Sequence, residues 1–254
     1  MLKVRIIPVL LLKNGRMVKP KQFGAAGERD VGWPATTARI YDSQDADELI
    51  FLDMSAGQEG RRFLLNTLGE VAQNCFVPLT AGGGVRSIED VREILREGAD
   101  KVSVNSAALE RPSLIREIAE QFGNQCVVVS MDARMVTPGR YEVFAEGGRK
   151  GMGREALAWA REAVAHGAGE ILLTSIDREG MMEGYDIGLI RMIADAVPVP
   201  VIAHGGAGTR QHFVDAVREG HASAVAASSV FHFSDSNLTQ VKSFMHNAGV
   251  EVRV

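Results

Sequence analysis

The sequence predicts an α/β protein, a single closed (β/α)8 (TIM) barrel, and three observations carry that prediction. Eight short runs rich in Val, Ile and Leu alternate with stretches whose apolar residues fall at i, i+3, i+4 spacing. A chain of 254 residues is the usual size for eight such units in one domain. The chain also repeats itself at half its length. ADELIFLD (46–53) resembles AGEILLTS (168–175), VPLTAGGG (77–84) resembles VPVIAHGG (199–206), and REGAD (96–100) resembles REGHA (218–222), each time at an offset of 122 residues. One domain over residues 1–254 is therefore expected, built from duplicated half-barrels at about 1–122 and 123–254.

In chain order the predicted strands are VRIIPVLL (4–11), LIFLD (49–53), VPLTA (77–81), KVSV (101–104), CVVVSMD (126–132), EILLTS (170–175), VPVIAH (199–204) and SAVAAS (223–228). Continuous apolar runs suit parallel strands covered on their outer face. The intervening stretches, from PATTARIYDSQDA through SIEDVREILREG and GREALAWAREAVAHG to NLTQVKSFMHNAG, read as amphipathic helices, and several end on glycine. A long loop is expected after the first strand. An open doubly wound sheet is the structural alternative, but no GxGxxG follows the first strand to support its dinucleotide-binding version.

Composition narrows the function classes. Hydrophobic residues make up 46% and charged residues 24%, with a net charge of −4. No basic excess points to nucleic acid, and no polybasic run or basic amphipathic helix points to a membrane. Cys75 and Cys126 lie in apolar runs outside any CxxC or Cys/His cluster, so they read as buried thiols of a reducing cytoplasm. The apolar N-terminal run is too short to span a bilayer and has no small-residue cleavage site, so a cytoplasmic protein is expected. No metal and no cofactor is indicated. His166, His212, His221 and His246 fall on predicted helices or turns and are expected to be exposed, whereas His204 ends the seventh strand beside a glycine pair.

In this fold the site gathers at the C-terminal ends of the strands. AGGGVRS (81–87) and VNSAA (104–108) follow strands three and four; HGGAGT (204–209) and AASSV (226–230) follow strands seven and eight. Glycines let backbone N–H groups approach an anion, and Asn and Ser side chains donate further bonds. Two such sets at symmetric positions suggest two phosphates, one on each side of the barrel mouth; tight βα turns are the alternative. The candidate anion set is Lys19, Gly83, Gly84, Asn105, Ser106, Gly180, Gly205, Gly206, Ser228 and Ser229. Lys19 either closes over a phosphate from its loop or is a solvated loop lysine. Strand-end acids are Asp53, Asp132, Asp177 and Glu179. Asp53, Asp132 and Asp177 are the candidate catalytic groups, with turn or capping roles as the alternative. When IIPVLLLK (6–13) is laid over VVVSMDAR (127–134), Leu11 falls where the second half has Asp132. At the opposite, N-terminal end, Arg5, Lys101 and Glu170 open strands one, four and six, and Glu48 precedes strand two. They read either as a functional ring or as a salt-bridge cluster plugging the barrel bottom.

The strings GADKVSVNSAA, VVVSMDAR, GAGEILLTSIDREG, GGAG and SVFHF, in this order, resemble the HisF family, the cyclase subunit of imidazole glycerol phosphate synthase, over nearly the whole chain. The resemblance implies a heterodimer with a HisH-like glutaminase on the N-terminal face. Ammonia would cross the barrel past a gate of Arg5, Glu48, Lys101 and Glu170 to a bis-phosphate substrate. It makes Asp100 a docking residue and Lys19 a lysine that closes over the substrate. In the family two aspartates carry the cyclisation; Asp132 matches one, and the other falls on Leu11. Glu179 stands where Asp is usual, Met181 where Thr is common, His204 where a small hydroxyl is found, and Pro20 where a Gly is usual. That pattern resembles a branch of HisF-like proteins (WbuZ type) from surface-polysaccharide gene clusters. There the resemblance implies an ammonia conduit that works with the glutaminase and a separate ATP-dependent amidotransferase to amidate an acetamido sugar. A working cyclase of histidine biosynthesis, converting PRFAR and ammonia to imidazole glycerol phosphate and AICAR, is the alternative.

Overall fold

The computed structural model describes residues 3–57, 59–61 and 63–253. Its first half runs β1 (Arg5–Lys13), β2 (Arg16–Lys21), β3 (Gly24–Gly32), α1 (Pro34–Ser43), β4 (Leu49–Asp53), α2 (Leu65–Ala72), β5 (Leu79–Gly82), α3 (Ile88–Arg96), β6 (Lys101–Val104), α4 (Ser106–Glu110) and α5 (Ser113–Phe122). The second half repeats this order: β7 (Val127–Thr137), β8 (Arg140–Ala145), β9 (Lys150–Glu155), α6 (Ala156–Ala165), β10 (Glu170–Ser175), α7 (Ile187–Ala194), β11 (Val201–His204), α8 (Arg210–Arg218), β12 (Ala224–Ala227), α9 (Ser229–Phe233) and α10 (Leu238–Asn247). Eight parallel strands pair in the order β10-β11-β12-β1-β4-β5-β6-β7, and β7 pairs back onto β10 to close the barrel. Each half carries one antiparallel hairpin on its first strand: β2–β3 on β1, and β8–β9 on β7.

The hairpins correct the expected loop after strand one. Asn14 and Gly15, both at positive φ, make a two-residue turn that pairs Lys13 with Arg16. Lys19 therefore sits on a strand, 3% exposed, rather than in a solvated loop.

Period-two alternation sorts the strand residues into two shells. Ile6, Leu10, Leu12, Phe51, Val102, Val104, Val129 and Leu173 point outward and pack under the helices. Ile7, Val9, Leu11, Ile50, Val128, Leu172, Ile202, Ala224 and Ala226 fill the lumen. The helices form where the sequence offers both an apolar stripe and an end signal. In α3, Val91 and Ile94 are buried and the Ser87/Asp90 capping box fixes the start. Each fully buried Ile or Leu contributes about 1.5–3 kcal/mol. Among the described residues no helix is long and apolar enough to cross a membrane. Both cysteines are buried and free.

The ladder also aligns the two halves. Leu11 of β1 pairs with Leu52 of β4, and Asp132 of β7 pairs with Thr174 of β10. The strand registers thus place Leu11 and Asp132 at equivalent positions.

Candidate functional site

A cavity of about 770 Å³ opens at the C-terminal ends of the strands on the β4–β6 side. Leu11, Leu52, Phe23 and Met54 contribute apolar lining, and Gly83, Gly84, Arg86, Asn105, Ser106 and Arg111 line it together with Asp132, Thr174 and His204. It descends into the lumen as far as Ser103 and Ser130. The glycines are demanded by the backbone. A Cβ on Gly83 (φ +122) would lie 2.2 Å from the Asp53 carbonyl oxygen, and one on Gly206 (φ +110) 2.2 Å from that of Gly184. Their conformations therefore serve tight βα packing, whatever else they bind.

A chain of polar side chains crosses the mouth. Asn105 Nδ2 donates to Asp132 Oδ2 at 2.8 Å, and Asn105 Oδ1 is buried with no partner. The Thr174 hydroxyl bonds the Asp132 carboxyl and lies 3.1 Å from His204 Nδ1. His204 Nε2 faces Glu179 Oε2 at 3.8 Å, and Glu179 is ion-paired to Lys19. Burial pushes the Asp132 carboxyl up to about 7, the Glu179 charge adds to that, and the Asn105 and Thr174 bonds oppose it. Burial pushes the His204 imidazole down to about 4; Glu179 opposes that and Lys19 adds to it. Burial alone would raise the Glu179 carboxyl, but the charge and hydrogen bond of Lys19 outweigh it and hold it below its ordinary value. Asp132 therefore titrates near neutrality, where general acid–base groups work best, while His204 stays neutral.

The symmetric anion candidates do not match in space. On the β11–β12 side only about 10 Å³ remains, lined by Lys19, Glu179, Gly180, Gly205, Gly206, Ser228 and Ser229 among others. Asp53 is at the cavity, but its carboxylate is engaged: it pairs with Arg61 at 2.6 Å and accepts from the N–H groups of Ser55 and Ala56. Asp177 is half-buried and outside the cavity lining; it accepts from Met135 N at 3.0 Å. His212 is half-buried and its Nδ1 accepts from Gly208 N, so it caps α8 rather than lying exposed. His166 is also half-buried, while His221 and His246 are exposed.

At the other end of the barrel, Arg5, Glu48, Lys101 and Glu170 close into one ring of alternating charge. Arg5 Nη1 reaches Glu48 at 2.6 Å and Glu170 at 3.0 Å; Lys101 Nζ reaches both acids at 3.0 Å. Burial would lower the Arg5 pKa, but Glu170 and Glu48 outweigh it and raise it. Lys101 of the ring and Ser103 of the cavity floor are successive inward positions on β6, so about 6.6 Å of strand separates them. Asp100, just before Lys101, is exposed on this face, and its Oδ2 accepts from Leu79 N at 2.8 Å.

Thr174 and Arg61 are the residues that reading the sequence missed. Nothing local marks Thr174, although its place three residues before Asp177 on a strand end was a hint. Among the described residues no group of three or more His, Cys, Asp or Glu could hold a metal ion. Residues 5–237 match the family described as histidine biosynthesis protein, and the chain belongs to this HisA/HisF-type family.

Proposed function

We propose that this chain is the HisF-like barrel subunit of a glutamine amidotransferase. A HisH-like glutaminase docks on the ring face, near Asp100, and ammonia passes the ring of Arg5, Glu48, Lys101 and Glu170 into the strand-end cavity. The acceptor is an acetamido sugar of lipopolysaccharide or other surface-polysaccharide biosynthesis, amidated with a separate ATP-dependent amidotransferase. The observation that carries this reading is a pair of adjacent features: the cavity floor at Ser103 lies one inward position above Lys101, while Leu11 takes the place of the second proton-transfer acid. Leucine neither gives nor takes a proton, and each such group typically contributes about 10²–10⁴-fold to rate. The experiment is to combine the purified chain with its glutaminase and supply PRFAR and glutamine. No imidazole glycerol phosphate should form; turnover near an ordinary enzyme rate of about 10 s⁻¹ would overturn the reading.

One observation favours a second reading, a working cyclase of histidine biosynthesis. Asp132 titrates near 7 and is linked through Thr174 to His204, which gives the mouth a group able to exchange protons without an acid at position 11. In that case the wild-type gene rescues a cyclase-deficient strain and Asp132→Asn does not.

A further inference from the structure

We propose that Glu179 fills the anion subsite of the second half-barrel from within, so that the cavity takes a ligand with one phosphate-like group rather than two. The two halves offer equivalent glycine and serine sets, yet one adjoins about 770 Å³ and the other about 10 Å³. The smaller space holds no more than a single water. What occupies the rest is the Glu179 carboxylate. It is 1% exposed, and a Cβ on Gly205 would touch its Oε2 at 3.4 Å. Lys19, the cation suited to an anion on that side, is already paired with it.

The arrangement is anchored at several points. Gln22 N donates to the Glu179 carbonyl at 2.8 Å, and Gln22 Nε2 donates to the Asp177 carbonyl at 2.8 Å. A Cβ on Gly180 would come within 2.7 Å of the Pro20 carbonyl oxygen, so β2 lies directly on this loop. A phosphate entering here would have to displace a buried carboxylate or sit beside it as a like charge. The open side differs in room rather than in unpaired charge. Arg86 and Arg111 line it with Gly83, Gly84 and Ser106; Arg111 also pairs with Glu117 at 2.5 Å, Arg86 donates to the Gly57 carbonyl at 3.1 Å, and the rim acids Glu110 and Glu146 share Lys150 at 3.8 and 3.6 Å. Glu179 is thus a specificity-determining residue that sets how many anionic groups the ligand carries. This holds whether or not ammonia crosses the barrel.

The test is calorimetric, with the full chain and no glutaminase, so its outcome is separate from that of the amidotransferase reading. Inorganic phosphate should bind wild type at one per chain and Glu179→Ser at two. Two per chain in wild type, or one in a folded Glu179→Ser, overturns the proposal. A second comparison needs no variant. Wild type should bind ribose 5-phosphate and ribulose 1,5-bisphosphate with affinities within about threefold of each other, and a bisphosphate preference of about tenfold or more overturns the proposal.

Discussion

Leu11 and Asp132 are the same position of one half-barrel used twice: Leu11 lies across the ladder from Leu52 as Asp132 does from Thr174. Leu11 is 2% exposed and packs in the luminal apolar cluster. Leu11→Asp gives up about 1.5–3 kcal/mol of burial, and each kcal/mol is worth about 2–4 °C in a chain of this size. The new carboxyl will hold its proton more tightly folded than unfolded, so the loss grows with pH. Melting at pH 5 and pH 8 should show a lower Tm at both and the larger drop at pH 8. An equal drop would mean that position 11 is solvated.

Asp132 and His204 pull stability in opposite directions over one pH window. Folded Asp132 keeps its proton up to about 7, against 3.8 as the ordinary value, so the folded state holds the extra proton in between and stability falls as pH rises. Folded His204 stays neutral down to about 4, against an ordinary 6.5, so the unfolded chain holds the extra proton and stability rises with pH. His232, also pushed down to about 4 by burial and by Lys19, adds to the rise. Urea unfolding between pH 4.5 and 6.5 should show a steeper rise than wild type for Asp132→Asn and a flatter one for His204→Gln. Slopes that shift in the same direction would contradict the electrostatic arrangement described for the mouth.

Lys19 and Glu179 are buried charges with each other as principal partners. Removing one partner of such a pair typically costs about 3–5 kcal/mol, because the remaining charge is left uncompensated. Lys19→Met and Glu179→Gln should each be destabilised on that scale. The double variant should recover much of the loss, giving a coupling energy of at least about 1 kcal/mol in a double-mutant cycle. Additive losses would mean that the pair does not act as one unit.

Ser103→Leu places a bulky side chain on the cavity lining, one inward position above Lys101. With the glutaminase present, glutamine hydrolysis should persist while glutamine-dependent amidation of the acceptor falls at least about tenfold. Amidation from added ammonium chloride should stay near the wild-type rate. A parallel loss of both nitrogen sources would point to damage in the acceptor site rather than to a blocked passage.

The eight barrel strands and their covering helices were legible because each presents a continuous apolar run or an amphipathic stripe. The hairpins were not read, although Asn14-Gly15 is a strong two-residue turn signal and Pro138-Gly139 joins Thr137 to Arg140 in the same place of the other half. Of their strands, KGMGRE lacks apolar alternation and lies mostly on the surface, whereas RMVKPK and RYEVFA are mostly buried but short and interrupted by charged residues. That omission placed Lys19 in a loop, with solvation as one of its two readings. The ring residues were found as four strand starts, but whether four starts share one layer depends on strand stagger, which no local pattern encodes. The link from Asp132 to His204 was hidden for a related reason. Thr174 joins them only because β10 lies between β7 and β11.

The charged ring is divided unequally between the two halves. Residues 1–122 supply Arg5, Lys101 and Glu48, and the second half supplies Glu170 alone. Two copies of the first half would bring four bases against two acids, and two copies of the second would bring acids without a base. The ring therefore needs one of each half: neither half paired with a copy of itself would restore this alternation of charge.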